Sequence, residues 1–160
     1  MADLPVDSLP PIEALPELHL DNQLCFSLYS LSRRVTQSYT PLLKPLGLTY
    51  PQYLVMLLLW QEWEQGDRQV TISYLTERLK LDTGTVTPLL KRMEGKGLLM
   101  RQRSEEDERK VLVSLTTQGC ELRAQASSIP NALLCQSEVD VQPLLELRDK
   151  LNTMLALLSK

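Results

Sequence analysis

Residues 81–116 read LDTGTVTPLLKRMEGKGLLMRQRSEEDERKVLVSLT, a helical stretch followed at once by two β-like runs. The helical part, TVTPLLKRMEGKG, ends at Gly95 or Gly97, because glycine favours the position that follows a helix. Proline is best tolerated in a first turn, so Pro88 implies that this helix either begins late or bends. LLMRQR and KVLVSLT favour strands, and SEEDER between them is typical of a charged turn. The segment therefore predicts a helix followed by a β-hairpin.

Two helices precede this segment. Residues 50–64 follow Thr49, a suitable N-cap, have Pro51 near the first turn, and are apolar almost all round (YLVMLLLW). Such a helix is typical of a central core position. VTISYLTERLKL predicts a short amphipathic helix, and LDTGT a turn. The order helix, helix, turn, helix, hairpin predicts a mainly α fold with a small β-hairpin wing, a winged helix-turn-helix over about residues 50–116.

Further helices flank this region, at residues 20–48 and 117–160, and complete one domain over residues 20–160. In the first flank Asp21 or Asn22 is a candidate N-cap, and Pro41 with KPLGLT ends the pattern. Its apolar residues recur at helical spacing: Leu24, Leu28, Leu31 and Val35.

The closing stretch, VQPLLELRDKLNTMLALLSK, is too apolar for an exposed terminal helix. We expect both flanks to be dimerisation helices, with packing inside one chain as the alternative. Residues 1–19 are Pro-rich and form either an extended arm or a disordered one.

Composition limits the class of protein. The 160 residues are 43% hydrophobic and 23% charged, as in an ordinary globular protein. The sequence contains no run of 18 or more apolar residues, so it predicts no membrane-spanning helix. The N-terminus lacks the basic region of a secretory signal. We therefore expect a cytoplasmic protein whose three cysteines are thiols. One histidine and no Cys-x-x-Cys pair argue against a metal site, and we expect no cofactor.

Charge is unevenly distributed along the chain. The net charge is −3, yet the segment Lys80–Lys110 holds eight Lys or Arg against six Asp or Glu. Such a segment fits a surface that faces phosphates, and equally an ordinary solvated face. In a winged helix-turn-helix, the candidate DNA-binding side chains lie on the second helix and the wing: Thr83, Thr85, Thr87, Lys91, Arg92, Arg103, Asp107 and Arg109.

The wing tip has its own chemistry. The guanidinium of Arg109 suits a narrow, electronegative minor groove. Free carboxylates at Asp107 and Glu108 would be repelled by DNA. We expect such an acid to orient Arg109 through a salt bridge, or else to belong to a solubilising turn.

Residues 81–116 resemble the recognition helix and wing of the multiple-antibiotic-resistance (MarR) family of repressors. The earlier stretch DNQLCFSLYSLSRRVTQSYTPLLKPLGLTYPQYLVMLLLW is similar to one branch of it, the organic hydroperoxide resistance regulators (OhrR). The likeness covers most of the chain from about Leu20 onward. It implies a homodimer that represses transcription on pseudo-palindromic double-stranded operator DNA, not an enzyme, with an organic hydroperoxide as inducer.

The resemblance also implies roles for individual residues. The cysteine in NQLCF, Cys25, would be the redox-sensing residue, with Tyr39 and Tyr50 of the partner subunit stabilising its thiolate. Tyr29 in CFSLY would be a further pocket residue, next to Phe26. Each of these roles is an expectation from the family, carried onto matching positions of this sequence.

Two more roles follow from the same likeness. Cys135 in IPNALLC occupies the place of a resolving cysteine, which implies the two-cysteine type of regulator. Asp107 and Arg109 resemble the wing-tip pair that enters the minor groove. Cys120 has no counterpart and is interpreted as structural.

From the residues alone, Cys25 has two interpretations. Free cysteine is among the most buried residue types, so it could simply fill space in a core. As a sensor it must react as a thiolate, which two phenol donors would favour, and its apolar neighbours would select alkyl hydroperoxides. Oxidation would then give a sulfenic acid and a disulfide with Cys135 of the partner, and the dimer would leave its operator.

Two other functions stay open. A repressor relieved by a small aromatic ligand could use the same three tyrosines, Tyr29, Tyr39 and Tyr50, to line its pocket. A thiol peroxidase is less well matched, because no positive residue lies beside Cys25 in the sequence and a DNA-reading unit occupies the middle of the chain.

Overall fold

The computed structural model of the protein describes residues 13–135 and 140–158. The chain divides into two compact units, Met1–Gln37 and Ser38–Lys160. It is mainly helical with a small three-stranded antiparallel sheet, as the sequence predicts. The helices are α1 (Leu24–Leu43), α2 (Tyr50–Gln65), α3 (Ile72–Leu79), α4 (Thr83–Gly95), α5 (Thr117–Ala126), α6 (Ile129–Cys135) and α7 (Val141–Leu158). The strands are β1 (Val70–Thr71), β2 (Leu99–Arg103) and β3 (Val111–Leu115).

In the first unit, two short 3₁₀ turns, Pro16–Leu18 and Leu20–Asn22, precede α1. The predicted N-cap is wrong, because the Asn22 amide donates instead to the carbonyl of Pro16 at 2.7 Å. Helix α1 starts after Gln23, whose carbonyl accepts the first helical hydrogen bonds. The described end of the N-terminal arm is therefore turned rather than extended, and residues 1–12 lie outside the described residues.

Helix α1 does not end at Pro41, although the sequence suggests a break there. It continues to Leu43 and leads into a 3₁₀ turn at Lys44–Leu46 that closes on Gly47 with φ of 64°. A proline within a helix removes one backbone hydrogen bond and crowds the preceding turn. Here that disruption falls in the last turn, where few helical hydrogen bonds remain to be lost.

The core of the second unit is built around α2, as its apolar sequence predicts. Eight residues of this helix are buried, among them Val55 and Met56, which are fully buried. Helices α3 and α4 pack on it through Leu75 and Leu90. The indole N–H of Trp60 donates to a backbone carbonyl of α5, that of Gly119, at 2.9 Å, which joins the two helices.

The predicted hairpin is confirmed, and a third strand joins it. The strand order is β1–β3–β2, with Leu99 opposite Leu115 and Arg103 opposite Val111. Residues Val70–Thr71, which the sequence assigns to a helix, form β1 instead. Thr71 ends this strand and caps α3, because its hydroxyl accepts the backbone N–H of Tyr74 at 3.1 Å.

The C-terminal helices agree with the predicted pattern. Pro130 lies in the first turn of α6, where a missing N–H costs little. The predicted Leu-rich closing helix is present as α7, and none of its described residues is buried. Among the described residues no single helix has the length and apolar character to span a membrane, although Leu24–Leu46 and Tyr50–Gln65, bent by 73°, meet those criteria as a pair.

Candidate DNA interface and redox site

Helix α4, the predicted recognition helix, begins with a side-chain cap. One carboxylate oxygen of Asp82 accepts the backbone N–H of Thr85 at 2.8 Å, and the other accepts its hydroxyl at 2.7 Å. These hydrogen bonds, that of the hydroxyl foremost, hold the pKa of the Asp82 carboxyl below its ordinary value. The helix thus begins early, at Thr83, and Pro88 lies inside it.

The two faces of α4 differ sharply. Val86, Leu89, Leu90 and Met93 are buried. The opposite face exposes Thr83, Thr87 and Lys91, which are four residues apart and therefore lie in one row, with Arg92 exposed beside them.

Thr85 is also exposed. Its hydroxyl donates to Asp82, the N-cap of α4, and its expected role in DNA binding stays a prediction.

Not every cation near α4 is directed outward. The ammonium of Lys96, just after the helix, donates to the carbonyl of Gly47 at 2.6 Å and to the side-chain oxygen of Gln52 at 3.1 Å. Glu94 accepts two hydrogen bonds from the guanidinium of Arg101, at 3.0 and 2.6 Å, and one from its backbone N–H at 3.0 Å. Arg101 thereby lowers the pKa of the Glu94 carboxyl. Part of the basic segment therefore serves internal contacts.

The wing tip is a compact turn between β2 and β3. The hydroxyl of Ser104, which is buried, accepts the backbone N–H groups of Glu106 and Asp107 at 3.3 and 3.4 Å. Asp107 accepts the backbone N–H of Arg109 at 3.1 Å and forms its ion pair with Lys110, at 3.9 Å.

The expected salt bridge between Asp107 and the Arg109 guanidinium is therefore wrong for this structure. Asp107 positions the Arg109 backbone instead. The Arg109 side chain is exposed, as is that of Arg103 at the end of β2.

Three tyrosines come together where α1 and α2 meet in the second unit. The ring centroids of Tyr39 and Tyr50 lie 4.9 Å apart, and those of Tyr39 and Tyr53 lie 5.8 Å apart. Burial raises the pKa of all three phenols, and the neighbouring Tyr50 raises that of Tyr39 and Tyr53 further. At neutral pH each phenol therefore stays protonated and able to donate a hydrogen bond.

The structure thus places the two predicted thiolate-stabilising tyrosines side by side. It adds Tyr53, which sequence reasoning missed because the residue looks like an ordinary part of an apolar core helix. Tyr39 and Tyr50 are half-buried, whereas Tyr53 is 2% exposed.

The predicted sensing residue lies in the first unit, in the first turn of α1. Cys25 is exposed, so the core-filler interpretation is wrong for this chain taken alone. Tyr29, one helical turn further on, accepts a hydrogen bond from the Arg33 guanidinium at 2.8 Å, and Phe26 is half-buried. Cys25 and Tyr29 thus share one face of the helix, as a pocket residue beside the cysteine requires.

Of the other two cysteines, the structure describes the side chain of Cys120 but not that of Cys135. Cys120 is half-buried in α5 and lies on a cavity of about 640 Å³ with Tyr53, Trp60 and Arg123. Cys135 is the last residue of α6, and its side chain lies outside the described part of the chain. Its expected role as the resolving cysteine therefore stays a prediction.

The comparisons with known proteins agree with this architecture. Residues 37–125 match the family described as "Transcriptional regulator SarA/Rot". The chain is 49% identical over 138 residues to the organic hydroperoxide resistance transcriptional regulator of Bacillus subtilis, covering 86% of this chain and 90% of that protein. The chain belongs to the MarR family of transcriptional regulators, in its organic hydroperoxide resistance branch.

Solved structures of this MarR-type fold support the assignment. AbfR is a protein of Staphylococcus epidermidis. The structure of reduced AbfR bound to DNA superposes on this chain with a TM-score of 0.75 at 33% identity, covering 91% of this chain and 98% of that chain. A second structure, described as disulfide-formed AbfR, gives a TM-score of 0.59 at 35% identity, with coverage of 88% and 95%.

A MarR-family regulator from Rhodococcus shares the fold, with a TM-score of 0.74 at 22% identity, covering 86% of this chain and 95% of that chain. These relatives are transcriptional regulators, which confirms the prediction of a regulator rather than an enzyme.

Proposed function

We propose that the chain is a repressor that senses organic hydroperoxides. Its reduced homodimer binds a pseudo-palindromic operator, and oxidation of Cys25 releases the DNA. The observation that carries the proposal is the pair Tyr39–Tyr50, two half-buried phenols kept protonated by burial, in a chain whose Cys25 is exposed. The 49% identity to an organic hydroperoxide resistance transcriptional regulator supports the same inducer chemistry independently of the structure.

DNA binding rests on the exposed face of α4 and on the wing. Thr83, Thr87, Lys91 and Arg92 present donors suited to base edges and phosphates in a major groove. Arg103 and Arg109 present guanidinium groups suited to phosphates and to a minor groove. AbfR, which is similar over most of the chain, is described as binding DNA in its reduced form.

Dimerisation rests on exposed apolar surface in both flanking helices. In α1, Leu24, Leu28, Leu31 and Val35 are all between 37 and 61% exposed. In α7 the exposed large residues are Val141, Leu145, Leu147, Met154, Leu155, Leu157 and Leu158. A second copy of the chain would remove this surface from water, which is favourable by about 25 cal/mol per Å² of apolar area.

The sensing step is an oxidation of one sulfur. The Cys25 thiolate attacks the distal oxygen of the hydroperoxide, which carries the proton, the O–O bond breaks, and the leaving alkoxide takes a proton to become an alcohol. The sulfur becomes a sulfenic acid. The phenols of Tyr39 and Tyr50 in the partner subunit donate hydrogen bonds that favour the thiolate, and a reducing cytoplasm keeps the resting thiol available.

A second step makes the response reversible by thiols. The thiolate of Cys135 in the partner attacks the sulfenic sulfur, the S–S bond forms, and the displaced hydroxide takes a proton to leave as water. A disulfide requires its two α-carbons within about 7 Å, which constrains where α6 must lie in the oxidised dimer. The disulfide-formed structure of AbfR supports such a state in a relative.

One observation favours a second candidate. The cavity of about 640 Å³ between α2 and α5 is lined mostly by apolar side chains, and its Arg123 is paired with Glu64, so it suits a small uncharged aromatic ligand. Release of DNA by such a ligand would be insensitive to dithiothreitol, whereas release by a disulfide would be reversed.

The deciding experiment measures operator affinity before and after an alkyl hydroperoxide, and again after dithiothreitol. The wild type is compared with Cys25→Ser, with Cys135→Ser, and with Cys120→Ser as the matched control. We expect affinity to fall on the order of 10² to 10³-fold in the wild type and in Cys120→Ser, and to recover with dithiothreitol. Peroxide-driven release in Cys25→Ser would contradict the proposal, and a missing Cys135-dependent crosslink would exclude the resolving role.

A further inference from the structure

We propose that Lys96 is the positioning residue that couples the sensing tyrosines to both DNA-reading elements. This inference rests on the proposed function, because it assigns the route by which oxidation reaches the DNA-binding surface. Lys96 does not touch the reacting sulfur and is absent from the set of side chains assigned to DNA. Its contacts point inward, toward the start of α2.

The first observation is what Lys96 holds. Its ammonium donates to the carbonyl of Gly47 at 2.6 Å and to the side-chain oxygen of Gln52 at 3.1 Å. Gly47 ends the 3₁₀ turn that follows α1, and Gln52 lies in the first turn of α2. One side chain at the C-terminus of the recognition helix therefore binds both sides of the short connection that leads into Tyr50.

The second observation concerns Gln52, which is 4% exposed. Its side-chain oxygen also accepts the backbone N–H of Thr49 at 3.1 Å, as part of the capping box that starts α2. Thr49 immediately precedes Tyr50. The oxygen that Lys96 binds is thus the same oxygen that fixes the backbone beside the sensing tyrosine.

The third observation is on the far side of Lys96. Two residues earlier, Glu94 binds Arg101 of β2 through both the guanidinium and the backbone N–H. The end of α4 is therefore fastened to the wing. A displacement of the α2 start that is transmitted through the Lys96 contacts would move the recognition helix and the wing together.

The hydrogen bonds of Lys96 are sensitive to small displacements. Their donor–acceptor distances are 2.6 and 3.1 Å, and a hydrogen bond is lost when this distance exceeds about 3.5 Å. A displacement of the start of α2 by about 1 Å would take these contacts beyond hydrogen-bonding distance. Packed elements with two discrete arrangements carry coupling between sites.

The test compares three variants with the wild type. Lys96→Met removes both hydrogen bonds and keeps most of the stem. Lys44→Met makes the same exchange at an exposed lysine of the neighbouring turn and controls for the loss of charge. Gln52→Glu keeps an acceptor for both Thr49 and Lys96 and is the conservative variant. For each, operator affinity and its salt dependence are measured in the reduced and the cumene hydroperoxide-treated dimer, with sulfenic acid at Cys25 trapped by dimedone.

We expect Lys96→Met to form sulfenic acid at the wild-type rate and to bind the operator within about 3-fold of wild type when reduced, but to lose no more than about 10-fold of its affinity on oxidation. Lys44→Met and Gln52→Glu should retain the full loss of about 10² to 10³-fold.

Two results would overturn the coupling role. One is a full oxidative loss of affinity in Lys96→Met. The other is an equal weakening of both redox states with a smaller salt slope, which would make Lys96 a phosphate contact. A wild-type dimer that keeps its operator after oxidation would instead overturn the proposed function, and the coupling with it.

Discussion

The rings of Tyr39 and Tyr50 lie 4.9 Å apart between centroids and are tilted by 46°, although one residue belongs to α1 and the other to α2. Each ring therefore limits how far the other can turn. Burial raises the pKa of both phenols, so both hydroxyl groups stay protonated at neutral pH. This arrangement suits a pair of donors that must act on a single anion.

Removing either hydroxyl should slow sensing. Tyr39→Phe and Tyr50→Phe each delete one hydrogen bond to a charged acceptor, worth about 1.5 to 3 kcal/mol. We expect the thiolate to be less populated and Cys25 oxidation at pH 7 to be about 10 to 100-fold slower, with operator binding of the reduced protein unchanged. Stopped-flow measurement of sulfenic acid formation checks the rate.

Tyr53→Phe is the matched control for that experiment. Tyr53 shares the aromatic cluster but is only 2% exposed, so we expect it to donate no hydrogen bond to a thiol of another subunit. Its oxidation rate should equal that of the wild type. A slowing as large as in Tyr39→Phe would show that the cluster acts through packing rather than through donated hydrogen bonds.

The pH dependence of sensing follows from the same burial. A neutral phenol donates to the thiolate, whereas a phenolate cannot donate and repels it. Burial raises the pKa of Tyr39 and Tyr50 above the ordinary value of about 10, so loss of the donors is moved to higher pH. The oxidation rate should show no falling limb below about pH 10. A decline between pH 8 and 9 would contradict this assignment.

The wing tip predicts different outcomes for two substitutions of one residue. Asp107→Asn keeps an acceptor for the backbone N–H of Arg109 and removes a negative charge from the DNA-facing turn, so operator affinity should be at least that of the wild type. Asp107→Ala loses the acceptor, and affinity should fall about 3 to 10-fold as the turn loosens. Fluorescence anisotropy on operator DNA distinguishes the two. Equal losses would indicate that the carboxylate pairs with a guanidinium in the complex.

Gly119 is expected to be intolerant of any side chain. A Cβ at this position would lie 2.0 Å from the backbone carbonyl oxygen of Leu98, and the Gly119 carbonyl accepts the Trp60 indole. We expect Gly119→Ala to cost at least about 2 kcal/mol and to lower Tm by about 5 °C or more.

Gly95→Ala serves as the control for this prediction, because a Cβ at Gly95 meets nothing within 4 Å. It lies in the last turn of α4, where alanine should be neutral or slightly stabilising. Thermal melts followed by circular dichroism compare the two variants. Equal melting temperatures would contradict the close approach of α5 to the strand.

Sequence periodicity predicted the core helix α2, the recognition helix and the hairpin, because each depends on a local pattern of apolar and turn-forming residues. Strand β1 was missed because two residues have no periodicity, and they become a strand only through pairing with Val113 and Leu112. The course of α1 through Pro41 also escaped prediction, since a terminal turn tolerates what a helix centre does not.

The candidate site also contains features that the sequence predicted and features that it did not. Residue types and spacing predicted the exposed residues of α4, whereas Tyr39, Tyr50 and Cys25 were singled out by the family resemblance. Neither could show that Thr85 is engaged by Asp82 or that Asp107 binds a backbone N–H. The internal contacts of Lys96 and Arg101 also depend on residues up to 49 positions away, or on a facing strand. A lysine that reaches solvent and a lysine that joins two helices look alike in sequence.

The inward pairing of cations has a consequence for the competition between DNA sites in a cell. Lys96 and Arg101 make contacts inside the chain, so fewer charges are left to displace counterions from DNA of any sequence. Each phosphate contact that is not made reduces the slope of log K against log salt concentration by about 0.9 and weakens non-specific DNA binding. Because random sites outnumber an operator by about 10⁶ or more, weaker random binding leaves a larger share of a scarce repressor pool available for its own promoter.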